Sequence, residues 1–155
     1  AEMKFFEWTF ISSAYWSESI GPTAALAAVE KMVSMDVPAH LQRIGGCFMK
    51  RWLELGQSCQ LPTFFKGRPE LVQLGFEHEQ ANRIMTLFTR LMLQQGIMAG
   101  CSFNPTFAHQ DRHLDHYFEK AEVCFDQINQ QLKSGQFYDQ AAFETKHMGF
   151  ARLVN

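Results

Sequence analysis

The sequence predicts an α+β domain, a short antiparallel sheet covered by helices. Three observations carry this. Two strand-like runs, residues 61–65 and 71–76, flank Lys66-Gly67-Arg68-Pro69, the residue types of a hairpin turn. Amphipathic stripes at helical spacing lie on both sides of that hairpin. The element order reads helix, helix, strand, strand, helix, strand, helix, without the strand–helix alternation of a doubly wound parallel sheet.

Residues 1–18 read as extended, since Phe5, Trp8, Phe10 and Ile11 favour strands and show no helical stripe. Ser19 is a candidate N-cap and Pro22 suits a first helical turn, so a helix is expected over residues 23–35. Its small side chains Ala24, Ala25, Ala27 and Ala28 suggest a close interface. Asp36 is read as the next N-cap, with Pro38 behind it. Leu41, Ile44, Phe48, Trp52 and Leu55 then share one helical face, and Gly56 reads as the stop. After the hairpin, helix signals resume at His78. Ile84, Leu87, Phe88 and Leu91 form the stripe and Gly96 ends it. Residues 97–103 read as a strand broken by Asn104-Pro105. The longest helix covers about residues 110–133, with Leu114, Phe118, Ala121, Phe125, Ile128 and Leu132 on one face and Gly135 closing it. A short helix is expected near residues 138–146.

A chain of 155 residues defaults to one domain with a real core. Hydrophobic residues at 46% and charged residues at 19% belong to a globular composition rather than a disordered one. Fifteen Phe exceed the usual share, and part of them is expected at a cofactor or partner interface. A net charge of -2 and no basic face exclude nucleic acid as a partner. No apolar run is long enough to span a bilayer, and Ala1-Glu2-Met3-Lys4 lacks the pattern of a signal peptide. Cys47, Cys59, Cys101 and Cys124 form no CxxC pair and read as reduced thiols of a cytoplasmic protein, packed as small hydrophobes.

His109, His113 and His116, with Asp111 and Asp115, lie at helical spacing, and an i, i+4 pair can share a metal. No Cys or Glu completes a fourth ligand. Acidic residues at a helix start also answer the helix dipole. No metal is therefore assigned, and the histidines read as surface.

Five segments together resemble one family. They are Phe10-Ile11-Ser12-Ser13-Ala14-Tyr15-Trp16-Ser17-Glu18, Val37-Pro38-Ala39-His40-Leu41-Gln42-Arg43-Ile44-Gly45, Phe88-Thr89-Arg90-Leu91-Met92-Leu93-Gln94-Gln95-Gly96-Ile97, Phe107-Ala108-His109 and Gly149-Phe150-Ala151-Arg152-Leu153. In this order they resemble the C-terminal part of class III pyridoxal-phosphate-dependent aminotransferases, near the glutamate-1-semialdehyde 2,1-aminomutase branch. The likeness covers nearly the whole chain.

The resemblance implies the small C-terminal domain of a fold-type I transferase, whose large domain holds pyridoxal 5'-phosphate on a Schiff-base lysine. The full-length enzyme would move an amino group between an amino donor and an aldehyde or ketone, with the cofactor as electron sink. The family's lysine lies upstream of the first segment in a Ser-Lys context. None of Lys4, Lys31, Lys50, Lys66, Lys120, Lys133 or Lys146 has that context, so this chain alone is expected to be inactive. Residues 1–18 are expected to belong to the junction with the large domain, and residues 19–155 to form the C-terminal domain. The implied partners are the chain's own large cofactor-binding domain and a second copy in a homodimer.

In the family, a Thr of the first segment donates to the cofactor phosphate of the neighbouring subunit. Aligned on Trp16 and Glu18, that position is Ala14, which leaves Ser12, Ser13 or backbone amides for the contact. A strand and loop packed at a subunit interface is the alternative role of this stretch. The aminomutases place a Glu near the substrate amine, before the Ala-His pair. Counting back from His109, the matching positions are Cys101 or Ser102. Neither is a carboxylate, which favours a relative with another amino or keto substrate. Arg152 offers a partner for a carboxylate or a structural ion pair. The rival reading is a non-catalytic interaction or dimerisation module derived from an aminotransferase. The start at Ala1-Glu2-Met3, a strand-like opening with no partner strand upstream, reads as a cut within a larger protein and favours the enzyme.

Overall fold

The computed structural model describes residues 18–135 together with Phe137 and Thr145. The extended segment expected before Glu18 and, apart from Thr145, the helix expected near residues 138–146 lie outside the described residues, as do Ser12, Ser13, Ala14 and Arg152. In chain order the elements are α1 (Ile20–Ser34), α2 (Val37–Ser58), β1 (Thr63–Arg68), β2 (Leu71–Phe76), α3 (Ala81–Gln94), β3 (Ser102–Phe103) and α4 (Asp111–Ser134). This is an α+β fold with a three-stranded antiparallel sheet in the order β1-β2-β3. The chain divides into two compact units after Val37.

In the first unit, Ser19 occupies the N-cap position of α1 but makes no side-chain cap hydrogen bond. None of the described α1 residues is buried; Ile20, Leu26, Val29 and Val33 are exposed. Asp36 was expected to cap α2. It takes a left-handed φ of 46° instead of the extended conformation of an N-cap, and its N–H donates to Val33 O at 3.2 Å.

In the second unit, β1 and β2 pair from Thr63↔Phe76 to Arg68↔Leu71, so only Pro69 and Glu70 turn. Lys66, Gly67 and Arg68, expected as turn residues, belong to the ladder. They fit because β1 is an edge strand whose last three residues are exposed. β3 is shorter than the run expected over residues 97–103. It pairs only with Val72 and Gln73, and Cys101 O accepts the Leu74 N–H at 2.8 Å.

The core lies among α2, α3, α4 and the sheet. Trp52 is fully buried, with Phe76, Phe88 and Phe125 edge-on at 5.5, 5.6 and 5.4 Å. Its indole N–H donates to Phe64 O at 3.2 Å. Phe48, Phe118 and Phe137 are buried as well, so much of the aromatic surplus is core.

The glycines of α2 follow a different logic from the one expected. Gly56 does not stop the helix: it is buried, and a Cβ there would meet Thr63 Oγ1 at 2.3 Å. The helix ends at Gln60, φ 55°, where Gln60 N–H donates to Gln57 O and Leu61 N–H to Gly56 O. This is the paired hydrogen bonding of a Schellman motif, with a glutamine in the left-handed position. α3 closes the same way at Gly96, φ 79°, with Gly96 N–H to Leu93 O and Ile97 N–H to Met92 O. Gly135 at φ 77° follows α4. Among the described residues, no helix is long and apolar enough to cross a membrane.

Candidate functional site

The residues that carry chemistry converge at the start of α4. Asn104-Pro105 turns the chain away from β3, and the following loop is tied to α2, where His40 Nε2–H donates to His109 O at 2.9 Å. The His40 ring meets Phe107 edge-on at 5.0 Å. Two ion pairs fasten α4 to the same helix, Arg43–Asp111 and Arg51–Asp115, each at 2.7 Å.

Between this loop, residues 97–103 and α2 lies a cleft of about 270 Å³. One wall is aromatic: Phe48 from α2 stacks on Phe103 at 4.1 Å and 12°, with Tyr117 at 5.1 Å from Phe48. The other wall carries histidines. His109 stands edge-on to Phe103 at 5.4 Å, and His113 edge-on to His109 at 6.3 Å. Ser102 and His116 complete the polar lining, and Met98, 94% exposed, sits beside it.

The backbone fixes both imidazoles. His109 Nδ1 accepts the Thr106 N–H at 2.9 Å and lies 2.9 Å from Thr106 Oγ1. His113 Nδ1 accepts the Gln110 N–H at 3.1 Å, while the Gln110 side chain takes the N–H of His113, a reciprocal capping box. A nitrogen that accepts carries no proton, so the hydrogen bonding assigns the neutral rings the Nε2–H tautomer. Burial pushes the Tyr117 phenol above its ordinary range and keeps it protonated. Among the described residues, the cleft lining contains no Lys, Arg, Asp or Glu.

Of the two substrate positions expected from sequence, Ser102 is on the cleft wall. Cys101 is exposed and does not belong to the lining. The three histidines weighed as metal ligands do line one cleft. Among the described residues, though, no group of three or more His, Cys, Asp or Glu is arranged to hold a metal ion, and two of the Nδ1 atoms are already engaged. The described cleft walls offer no lysine amine for a Schiff base and no Lys or Arg for a phosphate. Sequence reasoning missed the aromatic wall. Phe48 read as plain core, and the signal for Tyr117 was its place one residue off the α4 stripe.

No family model matches the chain, and no curated protein matches it.

Proposed function

We propose that this chain is the C-terminal domain of a class III pyridoxal-phosphate-dependent aminotransferase or aminomutase, similar to glutamate-1-semialdehyde aminomutase. The observation that carries the reading is the convergence of Ser102 and His109 on one cleft. The resemblance, counted back from His109 of the Phe107-Ala108-His109 segment, gives Cys101 or Ser102 as the position near the substrate, and Ser102 is the one that lines the cleft. In the full-length enzyme the cofactor and its lysine come from the large domain. This domain then supplies an aromatic wall, imidazole hydrogen-bond donors and exclusion of water on the substrate side. The exposed Ile20, Leu26, Val29 and Val33 of α1 favour a protein partner, assigned here to the large domain and to a second subunit of a cytoplasmic homodimer.

The test is borohydride trapping and absorbance of the full-length gene product with pyridoxal phosphate, beside this chain. One trapped lysine in the full-length protein and none here is the expected result. No adduct in either refutes the enzyme and leaves the dimerisation module. A specific adduct in this chain alone overturns the assignment of the lysine to a separate domain.

A further inference from the structure

The structure assigns the outward face of the sheet as a docking surface for an acidic amphipathic helix of a partner protein. On the core side, Val72, Leu74 and Phe76 of β2 are buried, and Phe65 and Thr63 stand opposite Leu74 and Phe76. Strand alternation puts Leu71, Gln73 and Gly75 on the other face, where their partners across the ladder are Arg68, Lys66 and Phe64. Two contacts agree with this. A Cβ on Gly75 would meet the tip of the Phe64 ring at 2.3 Å, and Lys66 Nζ stands 5.3 Å from the centre of that ring. Lys66, Arg68, Leu71 and Gln73 are all exposed, Leu71 by 60%, so no described element covers them.

An antiparallel sheet can leave one face to water, and its outward positions are then polar. Phe64 and Leu71 depart from that pattern. Phe65 packs against the core and Phe64 does not. Between these two apolar groups stand the outward cations Lys66 and Arg68, on a chain of net charge -2. No outward ladder position of β1 or β2 is a carboxylate: Glu70, 3.4 Å from Arg68 Nε, lies in the turn, and Glu77 lies past β2. Charge complementarity therefore selects an acidic partner. The dimensions select a helix. Phe64 and Leu71 lie four ladder positions apart, roughly 13 Å, and a helix returns to one face after seven or eight residues, roughly 10–12 Å. Three strands are roughly 10 Å across, the width of one helix. Apolar residues of that helix meet Phe64 and Leu71, and carboxylates on its flanks meet Lys66 and Arg68. Two cations fall short of the roughly four to eight that mark a membrane-binding cluster, and of the phosphate contacts that hold nucleic acid. This surface is independent of the aminotransferase reading, and neither outcome of the lysine trapping bears on it.

The experiment is an NMR titration of this chain at low salt with a helical peptide of about 15 residues, Leu on one face and Glu on its flanks. The same peptide with Lys in place of Glu is the control. The acidic peptide is expected to shift the backbone amides of Lys66, Arg68, Leu71 and Gln73, and to bind about tenfold more tightly than the control, the effect of two exposed ion pairs. Replacing both cations, Lys66→Glu with Arg68→Glu, should reverse that preference, and Leu71→Ser should weaken both peptides. An unchanged Trp52 indole signal reports that the double variant is folded; the wild-type comparison decides if it is not. Equal binding of the two peptides, or shifts confined to other surfaces, overturns the inference. So does tighter binding of phosphatidylserine vesicles or single-stranded DNA at the same amides, which would assign the face to a membrane or a nucleic acid instead.

Discussion

Gly45 and Gly46 are sequence neighbours with opposite surroundings. A Cβ on Gly45 would sit 1.8 Å from Pro69 O, a backbone atom in the hairpin turn that cannot step aside, while a Cβ on Gly46 meets nothing within 4 Å. Gly45→Ala should therefore destabilise by about 1–3 kcal/mol through forced backbone shifts. Gly46→Ala should stabilise by about 0.5–1 kcal/mol, the ordinary gain of alanine over glycine inside a helix. Urea midpoints of both variants check this, and equal effects would show that α2 does not press on the turn. The same contrast explains what sequence hid at this scale. Gly96 was legible because a glycine behind an apolar stripe is the usual helix end. Gly56 looked identical in sequence and does another job, since its reason is Thr63 across the fold. The real stop, Gln60, is a residue type that gives no such signal.

At the scale of elements, the stripes of α2, α3 and α4 were readable because a buried helical face imposes its period on the sequence. Ile44, Phe48, Trp52, Leu55, Ile84, Leu87, Phe88, Leu91, Leu114, Phe118, Ala121, Phe125 and Ile128 are buried, while Leu41 and Leu132, at the ends of their stripes, are half-buried. The hairpin was legible but its turn was misplaced, because an exposed edge strand can end in Lys66 and Arg68 as easily as a turn can. β3 owes its two residues to β2, which local sequence cannot report. The ion pairs between α2 and α4 give a directional test. Both are solvent-exposed and worth about 0.2–1 kcal/mol as pairs. Arg51, however, also lies over the Phe118 ring at 4.5 Å. Arg51→Ala should cost more than Asp115→Ala, by roughly 0.5–1 kcal/mol, because it loses that ring contact as well as the charge. Thermal denaturation at low and high salt separates the two terms: salt should erase the Asp115 effect and leave most of the Arg51 effect. A fully salt-sensitive Arg51 effect would refute the ring contact.

For the whole molecule, alkaline pH probes the closure of the core. Burial pushes the Cys124 thiol up to about 11 from its ordinary 9.0, and it also raises Cys59 and Tyr117. A raised acid favours its neutral form in the fold. The stabilisation is complete below about pH 9 and is lost as pH climbs towards 11, because the unfolded chain releases its proton first. Urea midpoints should fall across that window, and less steeply in Cys124→Ala; equal slopes would mean that the thiol stays accessible in the fold. The cleft was half legible for a related reason. Ser102 and His109 were reached through segment resemblance, whereas Phe48 and Tyr117 join them only when α2 and α4 dock. The sheet carries one more consequence. Among the described residues, neither edge is a good template for another chain's strand. β3 is only two residues long. Along β1, the Trp52 indole already occupies the Phe64 carbonyl, two cations follow, and Gly67 at φ 94° breaks the pleat. Short, charged and kinked edges resist strand addition, so an aromatic-rich sheet of this kind can stay free of edge-to-edge aggregation at high concentration.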